Sequence, residues 1–301
     1  MHTTAISEVD RPADLLLSNG RTLAWRDRPL IMGVLNITPD SFSDGGLWLS
    51  PESAVDRALE MVDQGADILD LGAESTRPGG GVYGQGAEPT PAEEELRRLI
   101  PVLESLRQKV PVAISVDTRK GVVAEAALHA GADIINDISG LADPDLAATV
   151  AKAGCPIVLM HRRGQLSSMQ EQIAFDNVVT EVADDLGGLV ERALAHGIER
   201  HRILIDPGIG FGKSVEQNLA LLHHLDDLMS SGLPILVGAS RKSFIGEISG
   251  AAARDRLSGS LAAIGWAALR GAAVVRVHDV ADTYQFLTVW QAIHSARGQS
   301  N

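Results

Sequence analysis

Residues 202–225 read "RILIDPGIGFGKSVEQNLALLHHL". The middle of this stretch carries three glycines followed by Lys213 and Ser214, which invites a phosphate-binding loop. Spacing rejects that reading. A P-loop needs a glycine five residues ahead of its Gly-Lys-Ser, and Pro207 occupies that position. What remains is a short aliphatic run ending in Asp206, a rigid loop, and an amphipathic helix. Ser214 and Gln217 have capping-box spacing, so Lys213 is expected at the helix entrance and not on a phosphate. Gly208, Gly210 and Gly212 are expected to let the backbone approach a ligand closely.

The same strand–loop–helix unit recurs along the chain. Apolar runs lie at 31–35, 66–72, 112–116, 132–137, 156–160, 202–206, 234–238 and 273–277. Helical patterns fill the spaces between them and follow the last. The first has Val55, Ala58, Leu59 and Val62 on one face, with Pro51 near its start and Gly65 at its end. The second opens with a capping box on Thr90 and Glu93 and buries Leu96, Leu99, Ile100 and Leu103. Eight such repeats in about 250 residues predict an α/β fold of the (β/α)8 TIM-barrel type. A doubly wound open sheet is the rival, and it would carry a dinucleotide glycine fingerprint after its first strand, which is absent. Residues 15–25 predict a hairpin turned on Asn19-Gly20. The expected organisation is an N-terminal extension and hairpin over 1–29, capping the bottom of a single barrel domain over 30–301.

Composition narrows the function. A net charge of -13 argues against a nucleic-acid partner, while leaving room for a small anionic ligand held by local cations. The only cysteine, Cys155, lies in an apolar run and reads as a buried thiol, which excludes a disulfide framework or a cysteine metal cluster. The chain shows neither a secretory signal pattern nor an apolar run of membrane-spanning length, so a cytoplasmic location is expected.

Barrel active sites lie where the strands end, and here every expected strand end supplies polar or ionisable groups. They are Asn36; Glu74 to Arg77; Asp117; Asn136 and Asp137; His161; Asp206; Ser240 to Ser243; and Arg276 with His278. Polar residues favour turns on their own account, yet that bland explanation fails for eight ends carrying mixed amide, carboxylate and basic groups. Asp117, Asn136 and Asp206 form an acidic and amide sector, suited to a planar heterocycle rich in N–H groups. Arg77, Lys242, Arg276 and His278 form a basic sector suited to phosphate or carboxylate. Asn36 could give an amide oxygen to Mg2+ held mainly by a ligand's phosphates.

The stretches "MGVLNITPDSFSDGG" (32–46), "GAESTRPGG" (72–80), "SVDTRK" (115–120), "INDISG" (135–140), "LMHRRG" (159–164), "DPGIGFGKS" (206–214), "LVGASRKSFIG" (236–246) and "VRVHDV" (275–280) together resemble the dihydropteroate synthase family, in the family's order. The resemblance implies a pterin-binding TIM barrel that joins dihydropterin pyrophosphate to p-aminobenzoate, releasing pyrophosphate, in folate biosynthesis. It implies pterin contacts at Asp117, Asn136, Met160, Asp206 and Lys242, and pyrophosphate contacts at Asn36, Arg276 and His278. Mg2+ is the implied cofactor, with Asn36 its ligand. The implied aminobenzoate pocket, a sulfonamide target in the family, is Phe42, Thr76, Arg77, Pro78, Phe211, Lys242 and Ser243. Asp44, Arg77 and Lys242 are the implied catalytic groups, Asp44 offsetting positive charge left when the diphosphate departs. A homodimer through the late helices is implied too, and "LAAIGWAALRG" (261–271) is apolar enough to serve.

Three departures stand out. Ala73 replaces a frequent glycine, and the loop after Pro78 is long. Phe175 replaces a common tyrosine and is read as a packing change. A pterin-dependent methyltransferase would share the barrel but need neither "STRPG" nor "SRKS". A synthase that binds pterin without catalysing is the non-enzymatic alternative. His161 is read equally as a packing or a functional residue, His223 and His224 as surface or packing, and the acidic triplet 93–95 as helix N-terminal charge bias.

Overall fold

The computed structural model describes residues 12–38, 50–74, 90–164 and 174–296. A short antiparallel hairpin comes first, β1 (Leu15–Leu16) with β2 (Thr22–Leu23), Leu15 facing Leu23 across a turn in which Gly20 has φ +81°. Eight parallel strands follow: β3 (Leu30–Asn36), β4 (Ile68–Gly72), β5 (Ala113–Asp117), β6 (Ile134–Asp137), β7 (Ile157–Met160), β8 (Ile203–Asp206), β9 (Leu236–Val237) and β10 (Val274–Val277). Their order is β8-β7-β6-β5-β4-β3-β10-β9. A parallel bridge between Ile205 and Ile235 brings the two ends together. The sheet is thus a barrel, as the repeat predicted.

Helices alternate with these strands: α1 (Pro51–Asp63), α2 (Ala92–Arg107), α3 (Gly121–His129), α4 (Pro144–Ala153), α5 (Val178–Ala195), α6 (Val215–His223), α7 (Ser243–Ser249), α8 (Leu257–Leu269) and α9 (Val280–Ala296). α6 starts with the expected capping box, Ser214 and Gln217 satisfying each other's backbone N–H. α2 does not. Its N-cap is Pro91, which has no side-chain acceptor to offer, and the Thr90 N–H is committed instead to Glu74 Oε1 at 3.0 Å. The buried face of α2 is also turned from the expected stripe toward Val102 and Leu106, with Leu99 and Leu103 retained. α1 buries Ala54, Val55, Ala58 and Met61, leaving Leu59 and Val62 half-buried at the edge. No helix among the described residues is long and apolar enough to cross a membrane.

Side chains alternate across a strand, so every second residue enters the barrel. The lowest inward layer is Met32, Ile68, Ala113, Ile134, Val158, Leu204, Leu236 and Val274, and Leu15, Leu17 and Trp25 pack against it. The hairpin therefore closes the barrel's lower end with apolar surface. The other parity, including Ile31, Leu35, Leu69 and Val116, packs outward against the helices. The next inward residues are mostly polar: Asp70, Ser115, Asn136, Asp206 and Arg276. Register aligns Asn36 with Gly72, Gly72 with Asp117, and Asp117 with Asn136. The fold thus sets amide and carboxylate groups at one height near the strands' C-terminal ends.

Candidate active site

The cavity at that mouth is lined by Asp117, Asn136, Met160, Asp206, Phe211, Lys242, Arg276 and His278, with Val34 and Ile209 as apolar walls. Eight expected site residues from six different strand ends or loops therefore meet. Asn36 is half-buried at the end of β3, and Ser243 opens α7 beside Lys242 without lining the cavity. Phe42, Asp44, Thr76, Arg77 and Pro78 lie outside the described residues.

The charges are not divided into separate sectors. Arg276 spans two buried carboxylates, its Nε 2.6 Å from Asp70 Oδ2 and its Nη2 2.9 Å from Asp117 Oδ2. Asn136 Nδ2 donates to the same Asp70 oxygen at 3.2 Å. Basic and acidic groups on facing strands meet across a narrow barrel, so pairing outweighs segregation. Asp70 Oδ1 and Asp117 Oδ1 are buried without a partner among the described residues. An unpaired buried acceptor costs about 1–3 kcal/mol, and at Asp117, which lines the cavity, an N–H donor on a ligand would offset it. Burial raises the Asp117 carboxyl above its ordinary range against the pull of Arg276. Asp206 is raised for the same reason, opposed by the Gly208 N–H that donates to Oδ1 at 2.7 Å.

Lys242 stands over the Phe211 ring, Nζ 3.9 Å from the centroid, a cation–π contact. Burial and the neighbouring Arg276 charge lower its ammonium to about 8. His278 corrects the expectation of a basic imidazole. Burial, with Arg276 and Arg241 nearby, lowers it to about 3, and its Nδ1 lies 3.1 Å from Ser240 Oγ. It enters the site neutral, as a hydrogen-bonding group, and an arriving diphosphate would favour its protonation.

Three of the polar strand ends serve structure. Glu74 is fully paired, accepting from Arg119 at 3.0 and 2.9 Å and from Lys120 at 2.9 Å. Asp137 accepts from Ser139 N, Ser139 Oγ and Leu141 N, closing its own turn. His161 is 1% exposed, with Nε2 3.1 Å from Asp185 Oδ2 and Nδ1 3.0 Å from Lys213 Nζ. Phe175 packs as expected, under the Arg163 guanidinium at 4.2 Å.

Two of the three glycines in the 206–214 loop make room for protein atoms. Gly208 has φ +66°, and a Cβ there would lie 2.0 Å from the His161 carbonyl oxygen. At Gly210, φ +82°, it would meet Lys242 Cδ at 2.9 Å. Lys213 precedes the N-cap, as expected, but its side chain turns inward and is 4% exposed.

The residues that sequence reading missed are Asp70 and Ser115, both 0% exposed. Their signal was parity: each lies two positions before an inward strand end, inside an apolar run where a polar side chain has no other reason to be.

His161 also sets a pH dependence. Burial, then the Lys213 charge, lowers its pKa to about 4 from the ordinary 6.5. The unfolded chain takes up this proton between those values and the folded chain does not, so stability is lost as pH falls from 6.5 toward 4. The loss is up to about 3 kcal/mol. Urea unfolding at pH 7 and pH 4.5 should show a larger loss for the wild type than for His161→Gln; equal losses would contradict this.

Comparison with known proteins shows the family. The family model described as pterin binding enzyme matches residues 32–278. The chain is 44% identical over 269 residues to the dihydropteroate synthase of Escherichia coli K12, covering 89% of this chain and 93% of that protein. It is 44% identical over 268 residues to a probable bifunctional folylpolyglutamate synthase/dihydropteroate synthase of Haloferax volcanii. There it covers 88% of this chain but spans only 30% of the longer protein. Among solved structures, Yersinia pestis dihydropteroate synthase with a sulfonamide drug complex superposes with TM-score 0.88 at 41% identity, covering 94% of this chain and all of that one. The Xanthomonas albilineans enzyme in complex with 7,8-dihydropteroate gives TM-score 0.82 at 44% identity, covering 94% and 99%. Fold and site define a pterin-binding barrel enzyme, a transferase. Within that class, the chain belongs to the dihydropteroate synthase family.

Proposed function

We propose that the chain joins the methylene carbon of 6-hydroxymethyl-7,8-dihydropterin pyrophosphate to the nitrogen of p-aminobenzoate, giving 7,8-dihydropteroate. The C–O bond to the diphosphate breaks, the C–N bond forms, and pyrophosphate and a proton leave. The observation that carries this reading is the meeting of Asp117, Asn136, Asp206, Lys242, Arg276 and His278 in one cavity. Carboxylates and an amide there suit a heterocycle with N–H edges, and the guanidinium, ammonium and imidazole suit an anion.

Each described group has a role in that reaction. Asp206 and Asp117 accept from the pterin, and Asn136, held by Asp70, can both donate and accept. Arg276 is fixed in advance by two carboxylates, so its free N–H groups face the departing diphosphate without reorganisation. His278 adds a second donor. Lys242, poised over Phe211, bridges the pterin and the aromatic amine. An aniline nitrogen is neutral at pH 7 and needs placement more than activation, consistent with a site that has no nucleophile–base pair among its described residues.

Mg2+ fits this donor set only in partnership with the substrate. Among the described residues no cluster of three or more His, Cys, Asp or Glu could hold a metal, whereas Mg2+ commonly binds through few protein ligands plus phosphates. Asn36 would hold it with the diphosphate, and when bound it would neutralise charge on the leaving group.

The same proposal includes a cytoplasmic homodimer. A groove of about 760 Å³ between α6, α7 and α8 is walled by Leu219, Leu222, Phe244, Ile248 and Trp266. Ile248 is 58%, Leu219 44% and Trp266 40% exposed. A second copy is the occupant that would cover such apolar surface. Ile248→Glu with Trp266→Glu should convert a dimer to a monomer in sedimentation velocity; a wild-type monomer at micromolar concentration would contradict the proposal.

Steady-state rates test the reaction itself. They should saturate in both substrates, and a sulfonamide should raise the KM for p-aminobenzoate without lowering the maximal rate. Competition against the pterin instead would contradict the assignment.

A further inference from the structure

Lys213 is the residue that gave the loop its resemblance to a phosphate site, and the proposed reaction leaves it without a role. Its ammonium has three protons to donate and three acceptors, each at 3.0 Å: His161 Nδ1, the Gly208 carbonyl and the Phe211 carbonyl. This arrangement fixes the tautomer of His161. Nδ1 accepts from the ammonium, so Nε2 carries the hydrogen toward Asp185 Oδ2, 3.1 Å away. Asp185 is in turn held by Arg163 at 3.0 Å. Burial lowers the Lys213 ammonium to about 7, opposed first by the Asp206 charge, and the protonated form is the one that three acceptors require.

The two carbonyls belong to residues that matter. The Gly208 N–H donates to Asp206 Oδ1 at 2.7 Å, so the Gly208 residue is pinned at its carbonyl by Lys213 while its N–H orients the carboxylate. Phe211 carries the ring beneath Lys242. We propose that Lys213, seated on His161, is a positioning residue that fixes the 206–212 loop so that Asp206 meets the pterin and Phe211 stays under Lys242. The proposal rests on the reading of Asp206 as the pterin carboxylate. It acts on the pterin end of the cavity and not on the diphosphate end, because Arg276 and His278 come from β10 and the turn after it.

Calorimetric titration tests this, using 6-hydroxymethylpterin and inorganic pyrophosphate as separate probes. Lys213→Met should raise the pterin Kd about tenfold or more, the size expected for losing charge-assisted bonds, and leave the pyrophosphate Kd within about twofold. Lys213→Arg should recover part of the pterin loss. His161→Gln, which leaves the ammonium and both carbonyl bonds in place, should raise the pterin Kd about threefold, smaller because one bond of three changes. That variant decides the matter if Lys213→Met does not fold. A folded Lys213→Met with wild-type pterin Kd, equal loss for both probes, or an unchanged His161→Gln in the absence of a folded Met variant would overturn the proposal. Failure of the wild type to bind the pterin would instead count against Asp206 and the reaction assigned above.

Discussion

Arg276→Met should both make the protein unfold more easily and sharply lower its turnover. The guanidinium bridges Asp70 and Asp117, which are 0% and 7% exposed, and is the cation paired with both. Removing one partner of a buried ion pair leaves uncompensated charge and costs about 3–5 kcal/mol. Methionine fills much of the volume, so most of that loss is electrostatic. The same substitution takes away the fixed donors proposed to receive the diphosphate, and kcat/KM should fall about a thousandfold, the upper range for one preorganised donor. The two effects can be separated. Adding Asp70→Asn should restore part of the stability, because one buried charge has gone, and none of the turnover. Urea unfolding and initial rates on the single and double variants check this. Wild-type stability in Arg276→Met would show that the two contacts carry no weight, and recovery of turnover in the double variant would remove Arg276 from the anion site.

Asp206→Asn carries the second large effect. The amide keeps the shape and the Gly208 contact but loses the negative charge and exchanges an acceptor for a donor. Loss of a hydrogen bond to a charged group costs about 1.5–3 kcal/mol, so the Kd for the pterin should rise roughly ten- to a hundredfold. The KM for p-aminobenzoate should change by less than about threefold, since such a change corresponds to well under 1 kcal/mol. Calorimetry with the pterin and rates at saturating pterin diphosphate measure the two separately. Equal loss on both sides would mean that Asp206 shapes the whole cavity and does not grip one ligand.

Much of this fold could be read directly from the residues, because each apolar run is bounded by turn residues and followed by a helical period. The barrel and the hairpin both emerge from such local signals. Strand ends also led to the cavity: Asp117, Asn136, Asp206, Lys242, Arg276 and His278 converge there as expected. What could not be read was pairing across the barrel. Arg276 and Asp70 are separated by 206 positions and Arg276 and Asp117 by 159, and no local pattern announces either contact. The same blindness placed Glu74, Asp137 and His161 on the rim as if available, when each is consumed by neighbours. Thr90 misled for a related reason, since the acceptor that captures its N–H comes from the end of β4. Burial decided the remaining corrections. Imidazole reads as basic by type, yet His278 is held neutral by its surroundings, and Lys213 reads as a helix-entrance lysine although its ammonium is enclosed.

On this reading the pterin and amine are joined in this cavity with loss of pyrophosphate. Incubating the pure chain with dihydropterin pyrophosphate and Mg2+, with and without p-aminobenzoate, measures it. Pyrophosphate and 7,8-dihydropteroate should appear in equal amounts, and only when the amine is present. Tight pterin binding with no dihydropteroate, or pyrophosphate released at the same rate without the amine, would contradict it.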